Sequence, residues 1–314
     1  MIDSQKVGGV FFSGGKNGSF YGVILELFKA EESRWVIKSL FNSDKVAPSF
    51  KEETFIEWIS SSGCKKFVTD IPIGESFCGV CTLDCPGQSK CIDPKVKNIN
   101  LLIDDLLGED LLHSRVRPKE YERLRESLKS FDHSRDWFNE KTELPPLSQS
   151  FKRKLKGGFI PFWHRSIDLF IWIGFYDQML KILNYSFDSF GHTSLMIINR
   201  FKYIKNLLGP SYSFFESNIN VVLIQLLKNK IIDKNHLNGL RFLDETTIED
   251  KKSLVLSLEN NLNLFAYESD ILDLILDPKM VHAFLLAISG KSLVENNIVK
   301  LPSWCEEKFL IPTF

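Results

Sequence analysis

Lys66-Phe67-Val68-Thr69-Asp70-Ile71-Pro72-Ile73-Gly74 is the stretch on which the fold turns, and it runs on through Cys78, Cys81, Cys85 and Cys91 to Val96. A short apolar run that carries a carboxylate to its own end and then turns at proline and glycine predicts a buried strand over Phe67 to Ile71, with Asp70 at the mouth of a site. The question for the rest of the chain is whether it supplies partners for Asp70.

Upstream, Val7 to Phe12 reads as a strand and Ser19 to Phe28 as its return, with Asn17-Gly18 between them tolerating the positive φ of a tight hairpin. The glycines could instead cradle a phosphate, but no P-loop lysine or helix pattern follows them. Arg34 to Leu40 makes a third strand, which completes an antiparallel meander. Pro48-Ser49 followed by Glu52 reads as a capping box opening a helix with Phe55, Trp58 and Ile59 on one face, stopped before Gly63. A strand reached through a helix lies parallel to an earlier one, so the Asp70 strand is expected to be parallel to the first.

Downstream, Asn98 to Leu112 predicts one or two helices and Glu120 to Ser130 a charged helix, with a break at Leu144-Pro145-Pro146-Leu147. Phe151 to Arg165 interleaves Lys152, Arg153, Lys154 and Arg165 with aromatics that include Trp163. That mixture suits single-stranded nucleic acid through phosphate contact and base stacking; it equally suits a solvated basic turn beside an aromatic core strand. Thr193 to Leu208 is an amphipathic helix ended by Gly209-Pro210, and Tyr212 to Glu216 is a strand that again ends in an acid. Asn218 caps the next helix. A further helix is expected over Glu249 to Leu264, and Asp277-Pro278 gives the N-cap and first residue of a last helix for which Gly290 fits the stop.

With 44% hydrophobic and 25% charged residues and a net charge of −1, the 314-residue chain has an ordinary globular composition and no overall pull toward nucleic acid or anionic membrane. The first residues lack the apolar core of a signal peptide, and no apolar run is long enough to span a bilayer. The expected compartment is the cytoplasm, where thiols stay reduced. The clustered cysteines then point to metal rather than disulfides. Their spacings of two, three and five intervening residues allow four thiolates to wrap a tetrahedral ion. Zinc is favoured, and an iron–sulfur cluster stays open because Cys85-Pro86 matches the last cysteine of ferredoxin runs. Cys64 and Cys305 are isolated and expected to pack.

The Asp70 strand, Cys78-Gly79-Val80-Cys81, Cys85-Pro86-Gly87 and Cys91 to Val96 together resemble a predicted-nuclease family of RNase H-like domains known only as a domain of unknown function. Arg117-Pro118, Arg200 to Ile204, Phe215 to Asn218 and Glu306 to Pro312 look like that family's landmarks in order, so the resemblance spans nearly the whole chain. It implies an α/β fold: an RNase H-like mixed sheet, antiparallel meander then parallel strands, flanked by helices, in a single domain over 1–314. A Cys-rich loop at 76–97 follows the fourth strand, and a partly helical insertion occupies 98–190.

The resemblance also implies a site of carboxylates holding two Mg2+ or Mn2+ ions, since hard cations take oxygen ligands and in-line phosphodiester hydrolysis must stabilise both attacking and leaving oxygens. Asp70 and Glu216 match two of the family's acids. The first strand offers Phe11, Phe12 and Ser13 where an acid belongs, and the last helix offers His282, with Asp277 as the offset acid. His282 also reads as a half-buried helix residue, and Asp277 as a helix cap. The expectation is a degenerate nuclease with weak or no two-metal hydrolysis that retains nucleic-acid binding; the alternative is a non-catalytic protein-interaction module stapled by a structural metal. Asp70 and Glu216 are expected to point into one cleft, part of it filled by Phe11 or Phe12.

Overall fold

The computed structural model describes residues 5–14, 18–29, 33–127, 146–158, 164–182, 195–237, 240, 247–305 and 308–314. The chain divides into two compact units, one of Met1–Ile73, Thr193–Lys300 and Lys308–Phe314, the other of Gly74–His192 and Leu301–Glu307. The stretches expected as insertions, 76–97 and 98–190, both fall in the second unit.

The first unit is built on a mixed sheet of β1 (Lys6–Ser13), β2 (Ser19–Phe28), β3 (Arg34–Asn42), β4 (Lys66–Thr69), β5 (Ser213–Ser217), β6 (Leu264–Phe265) and β7 (Phe309–Leu310), in the order β6-β3-β2-β1-β4-β5-β7. β1, β2 and β3 pair antiparallel, whereas β4 joins β1 in parallel, β5 joins β4 and β7 joins β5 in parallel. The helices of this unit are α1 (Lys51–Ser61), α6 (Leu195–Leu208), α7 (Ile219–Lys228), α8 (Ile248–Asn261), α9 (Glu268–Leu276) and α10 (Pro278–Val294).

Alternation along β1 decides which helices cover which face. Phe12 points to the side of α1 and α6, where its ring meets Phe20, Phe55 and Phe201 edge-on at 5.1, 5.7 and 5.6 Å. Gly9 lies on the other face, against the backbone of α10. A Cβ there would stand 2.1 Å from the Ala283 carbonyl oxygen and 2.2 Å from the Ala287 nitrogen. Gly290 completes the seat from the helix side, since a Cβ on it would meet Val7 Cγ2 at 2.2 Å. Gly290 therefore does not stop α10; the helix runs on to Val294 because a small residue is needed for packing at that turn. Its start is as read, with Asp277 accepting from the Lys279 amide at 2.9 Å and Pro278 next.

Other boundaries moved for local reasons. Pro48 to Phe50 forms a 3-10 turn, so α1 starts at Lys51 with no side-chain cap, and Glu52 accepts from Arg200 Nε at 2.6 Å instead of closing a box with Ser49. The helix expected through Leu264 ends at Asn261, which frees Leu264 and Phe265 to pair with Trp35 and Val36. Asn17 of the hairpin turn lies outside the described residues.

The second unit is helical among its described residues: α2 (Pro94–Val116), α3 (Pro118–Ser127), α4 (Gln149–Lys156) and α5 (Ser166–Ile182). Asn98 to Leu112 belongs to one helix, opened by Asp93, whose Oδ1 accepts from the Lys95 amide at 2.9 Å. The basic segment is a helix with Ser148 as its cap rather than a turn, and Phe151 stacks on Tyr176 of α5 at 4.8 Å instead of lying in a strand. Among the described residues no helix is long and apolar enough to cross a membrane.

Candidate functional site at the carboxyl ends of the parallel strands

The parallel register brings three positions to one end of the sheet. Val10 pairs with Thr69, so the next step sets Phe11 beside Asp70, and Thr69 in turn pairs with Glu216 of β5. α10 begins at the same end, where the His282 ring meets the Phe11 ring edge-on at 4.9 Å. Phe12, by contrast, is buried in the aromatic core on the opposite face.

Asp70 keeps part of its surface exposed, but desolvation is strong enough to push its carboxyl from 3.8 up to about 7. Its own backbone hydrogen bond works against that rise, and the nearby Glu216 charge adds to it. The charges are felt across the strand ends, but Glu216 is in register with Thr69 and Val10 and so lies on the face of Phe12 and Phe214, opposite that of Phe11 and Asp70. The two acids therefore do not point into one cleft as expected. Glu216 is buried and its Oε2 accepts the Ile73 amide at 2.8 Å, so it also holds the turn that follows β4. His282 is held neutral, its value lowered by burial to about 4, and its Nδ1 is buried with no hydrogen-bond partner. Asp277 caps α10.

A polar network that sequence reading missed lies next to Phe11. Tyr21, opposite Phe11 on β2, donates to Asp44 Oδ2 at 2.5 Å and accepts from Lys279 Nζ at 3.2 Å. Ser19 donates to the same carboxylate, and Lys51 Nζ lies 3.1 Å from Asp44 Oδ1. Burial alone would raise the Asp44 value, but hydrogen bonds from Ser19, Tyr21 and Lys51 bring it to about 2. The same burial and the Asp44 hydrogen bond push the Tyr21 hydroxyl far up. Nothing in the sequence spacing of these residues signals the network, since 23 residues separate Tyr21 from Asp44 and 258 separate it from Lys279.

This donor set does not fit a pair of hard cations. Phe11 offers no ligand, and Glu216 and Asp277 are bonded to backbone amides, which leaves Asp70 as the one uncommitted acid of the four expected positions. Two ions need several oxygens shared between them.

In the second unit the basic segment is largely committed internally. Lys152 Nζ lies 2.9 Å from Asp110 Oδ2 and 3.0 Å from the Tyr121 hydroxyl. Arg165 is 2% exposed and forks onto Asp168 through Nε at 2.9 Å and a terminal nitrogen at 2.8 Å. Neither can meet a phosphate without giving up its ion pair with a buried carboxylate. Arg153 faces outward, Lys154 is half-buried, and Trp163 lies outside the described residues.

Of the four clustered cysteines, Cys78, Cys81 and Cys85 are exposed and Cys91 is half-buried. As they stand, no three His, Cys, Asp or Glu side chains among the described residues form a group that could hold a metal ion. Cys64 is buried, as expected, with its thiol pushed up to about 11 by burial. No protein-family model, no curated protein and no solved structure matches the chain.

Proposed function

We propose that the protein is an RNase H-like member of the predicted-nuclease class that binds nucleic acid without two-metal phosphodiester hydrolysis. The observation that carries this reading is the set of residues at the carboxyl ends of β1, β4 and β5: Phe11 and Asp70 side by side on the face of α10, and the acid Glu216 one step back on the opposite face. The strand order, antiparallel meander and then parallel strands, supports such a fold, and the acids Asp70 and Glu216 each stand at the carboxyl end of a parallel strand. The third is replaced by an aromatic that packs on His282, leaving too few oxygens for Mg2+ or Mn2+ to be shared. We place the protein in the cytoplasm, where its thiols stay reduced.

Nucleic-acid contact on this reading falls on an open part of the sheet rather than on the basic helix. Phe28, Arg34, Val36, Lys38 and Phe265, with Tyr267 beside them, line a groove of about 690 Å³. Phe28 and Tyr267 are more than half exposed, and Phe265 meets Tyr267 edge-on at 5.0 Å. Exposed rings stack bases at about 1–3 kcal/mol each, and Arg34 meets phosphates, while Lys38 also lies 3.3 Å from Glu26, the groove's one acid.

Labelled single- and double-stranded DNA and RNA test this directly. The expected result is salt-sensitive binding of single strands, weakened at least about tenfold by Phe28→Ala with Tyr267→Ala, and no cleavage with Mg2+ or Mn2+. Metal-dependent cleavage lost in Asp70→Asn, or no binding to any of the four, would reject it.

One observation favours the second reading, a protein-interaction module. Leu101, Leu112 and Val116 of α2 are 60%, 63% and 66% exposed and lie along one side of the helix.

A further inference from the structure

We propose that Cys78, Cys81, Cys85 and Cys91 bind one zinc ion as a closed four-thiolate site, and that this ion fixes the conformation of the loop between Ile73 and α2. The inference stands independently of the carboxylate site.

The first argument is exposure. Free cysteine is among the most buried residue types, yet three of these four are exposed on one loop and the fourth is half-buried. Packing does not account for them. Sequence spacing agrees: two, three and five intervening residues keep the four thiols on one short loop, close enough along the chain to wrap a single ion.

Among the described residues the loop has few other means of holding its shape, chiefly the paired hydrogen bonds of 2.8 and 3.0 Å between Gln88 and Asn100 of α2 and the Gly79 amide donating to the Ser76 hydroxyl. Val80, Leu83 and Ile92 are 58%, 47% and 62% exposed, so no local core forms. Among the described residues the backbone bonds that fold it are short turns at its ends: Gly79 to Ser76, Lys90 to Gly87 and Cys91 to Gln88. Such a segment has little to offset the entropy of ordering it, and a metal ion bound by four side chains supplies that free energy.

The donor set selects the ion. Of the loop's acids, Asp93 is spent on capping α2, and Asp84, next to Cys85, is exposed to water, so the four thiols are the donors the spacing gathers. Soft thiolates select zinc or iron–sulfur over Mg2+ and Ca2+. An exposed loop leaves a cluster open to solvent, whereas zinc has no redox state to protect. On binding, the four S–H groups lose their protons to solvent and four Zn–S bonds form, with no change in oxidation state. The product carries two negative charges, and Lys90, Lys95 and Lys97 lie in the same segment to offset them. The thiols are not gathered in ligating geometry as they stand, so binding draws the loop inward.

The test uses the full chain purified under reducing conditions without chelator. Elemental analysis is expected to find about one zinc per chain. After stripping, titration with Co2+ should give the visible bands of tetrahedral thiolate-bound cobalt, displaced by Zn2+, and bound Zn2+ should protect four cysteines from alkylation. Affinity should fall by at least about 100-fold in Cys78→Ser with Cys85→Ser, since even losing an outer partner of a ligand costs up to that much. Cys64→Ser and Cys305→Ser should bind as the wild type does. Iron with charge-transfer absorption would overturn the assignment to zinc. No uptake of Co2+ or Zn2+ by the wild-type chain, with all four cysteines alkylated at unchanged rates, would overturn the site itself.

Discussion

Replacing Gly9 with alanine should destabilise the protein by at least about 3 kcal/mol, at the severe end for a single substitution, or prevent its folding. The reason is where the new methyl group would go. It would stand 2.1 Å from the Ala283 carbonyl oxygen and 2.2 Å from the Ala287 nitrogen, and both are backbone atoms of α10. No rotamer change relieves such a contact, so the helix must lift off β1. That lift would separate Phe11 from His282 and open contacts along Val281, Phe284 and Ile288, all fully or almost fully buried. Gly290→Ala should cost less. Its nearest neighbours, Val7 Cγ2 at 2.2 Å and Val68 Cγ2 at 3.1 Å, are side-chain atoms, and adding Val7→Ala should recover part of the loss. Urea unfolding monitored by tryptophan fluorescence measures both. A Gly9→Ala protein within about 0.5 kcal/mol of wild type would mean that α10 is not seated as described.

Asp70→Asn should stabilise the protein at pH 8, by about 4 kcal/mol, and leave it unchanged below pH 4. The carboxyl value rises from 3.8 to about 7 on folding, chiefly through burial. The folded state therefore binds more protons between those values than the unfolded chain does. Asp70's contribution is full below about 3.8 and is lost as the pH rises through 7, at about 1.36 kcal/mol per unit. Asparagine keeps the shape of the neutral acid and carries no charge, so it escapes that loss.

His282 acts in the opposite sense. Its value falls from 6.5 to about 4, so the unfolded chain binds the extra proton and stability is lost as the pH drops from 6.5 toward 4. Chemical unfolding of wild type and variant across pH 3 to 9 separates the two, because only the Asp70 slope disappears in the variant. If Asp70→Asn were destabilising at pH 8, the carboxylate would have to be ionised and held by a favourable partner, and the burial assigned to it would be wrong.

Much of the sheet was legible in the sequence because its signals are local. The apolar runs of β1 and β2, the Asp277-Pro278 start and the Asn218 cap each fit within a few residues. Asp70 and Glu216 were legible for the same reason, each ending an apolar run. What stayed hidden depends on contacts across the chain. Gly290 reads as a helix stop unless its closeness to Val7 is known, and β6 and β7 are two residues each, too short for any period to show. Lys152 looked available for phosphate because its partner Asp110 is 42 residues away. Arg165 misled differently. Asp168 is only three positions on, but an i,i+3 pair at a helix start is ordinarily a surface feature, and here both side chains are buried.

The central claim is that β1, β4 and β5 present the remnant of a nuclease site that no longer holds a pair of cations. Calorimetric titration of the wild-type chain with Mn2+ at pH 8, after incubation with Zn2+ to fill the proposed four-cysteine site, tests it most directly. The predicted result is no saturable binding heat. Binding of two Mn2+ per chain that disappears in Asp70→Asn would contradict it.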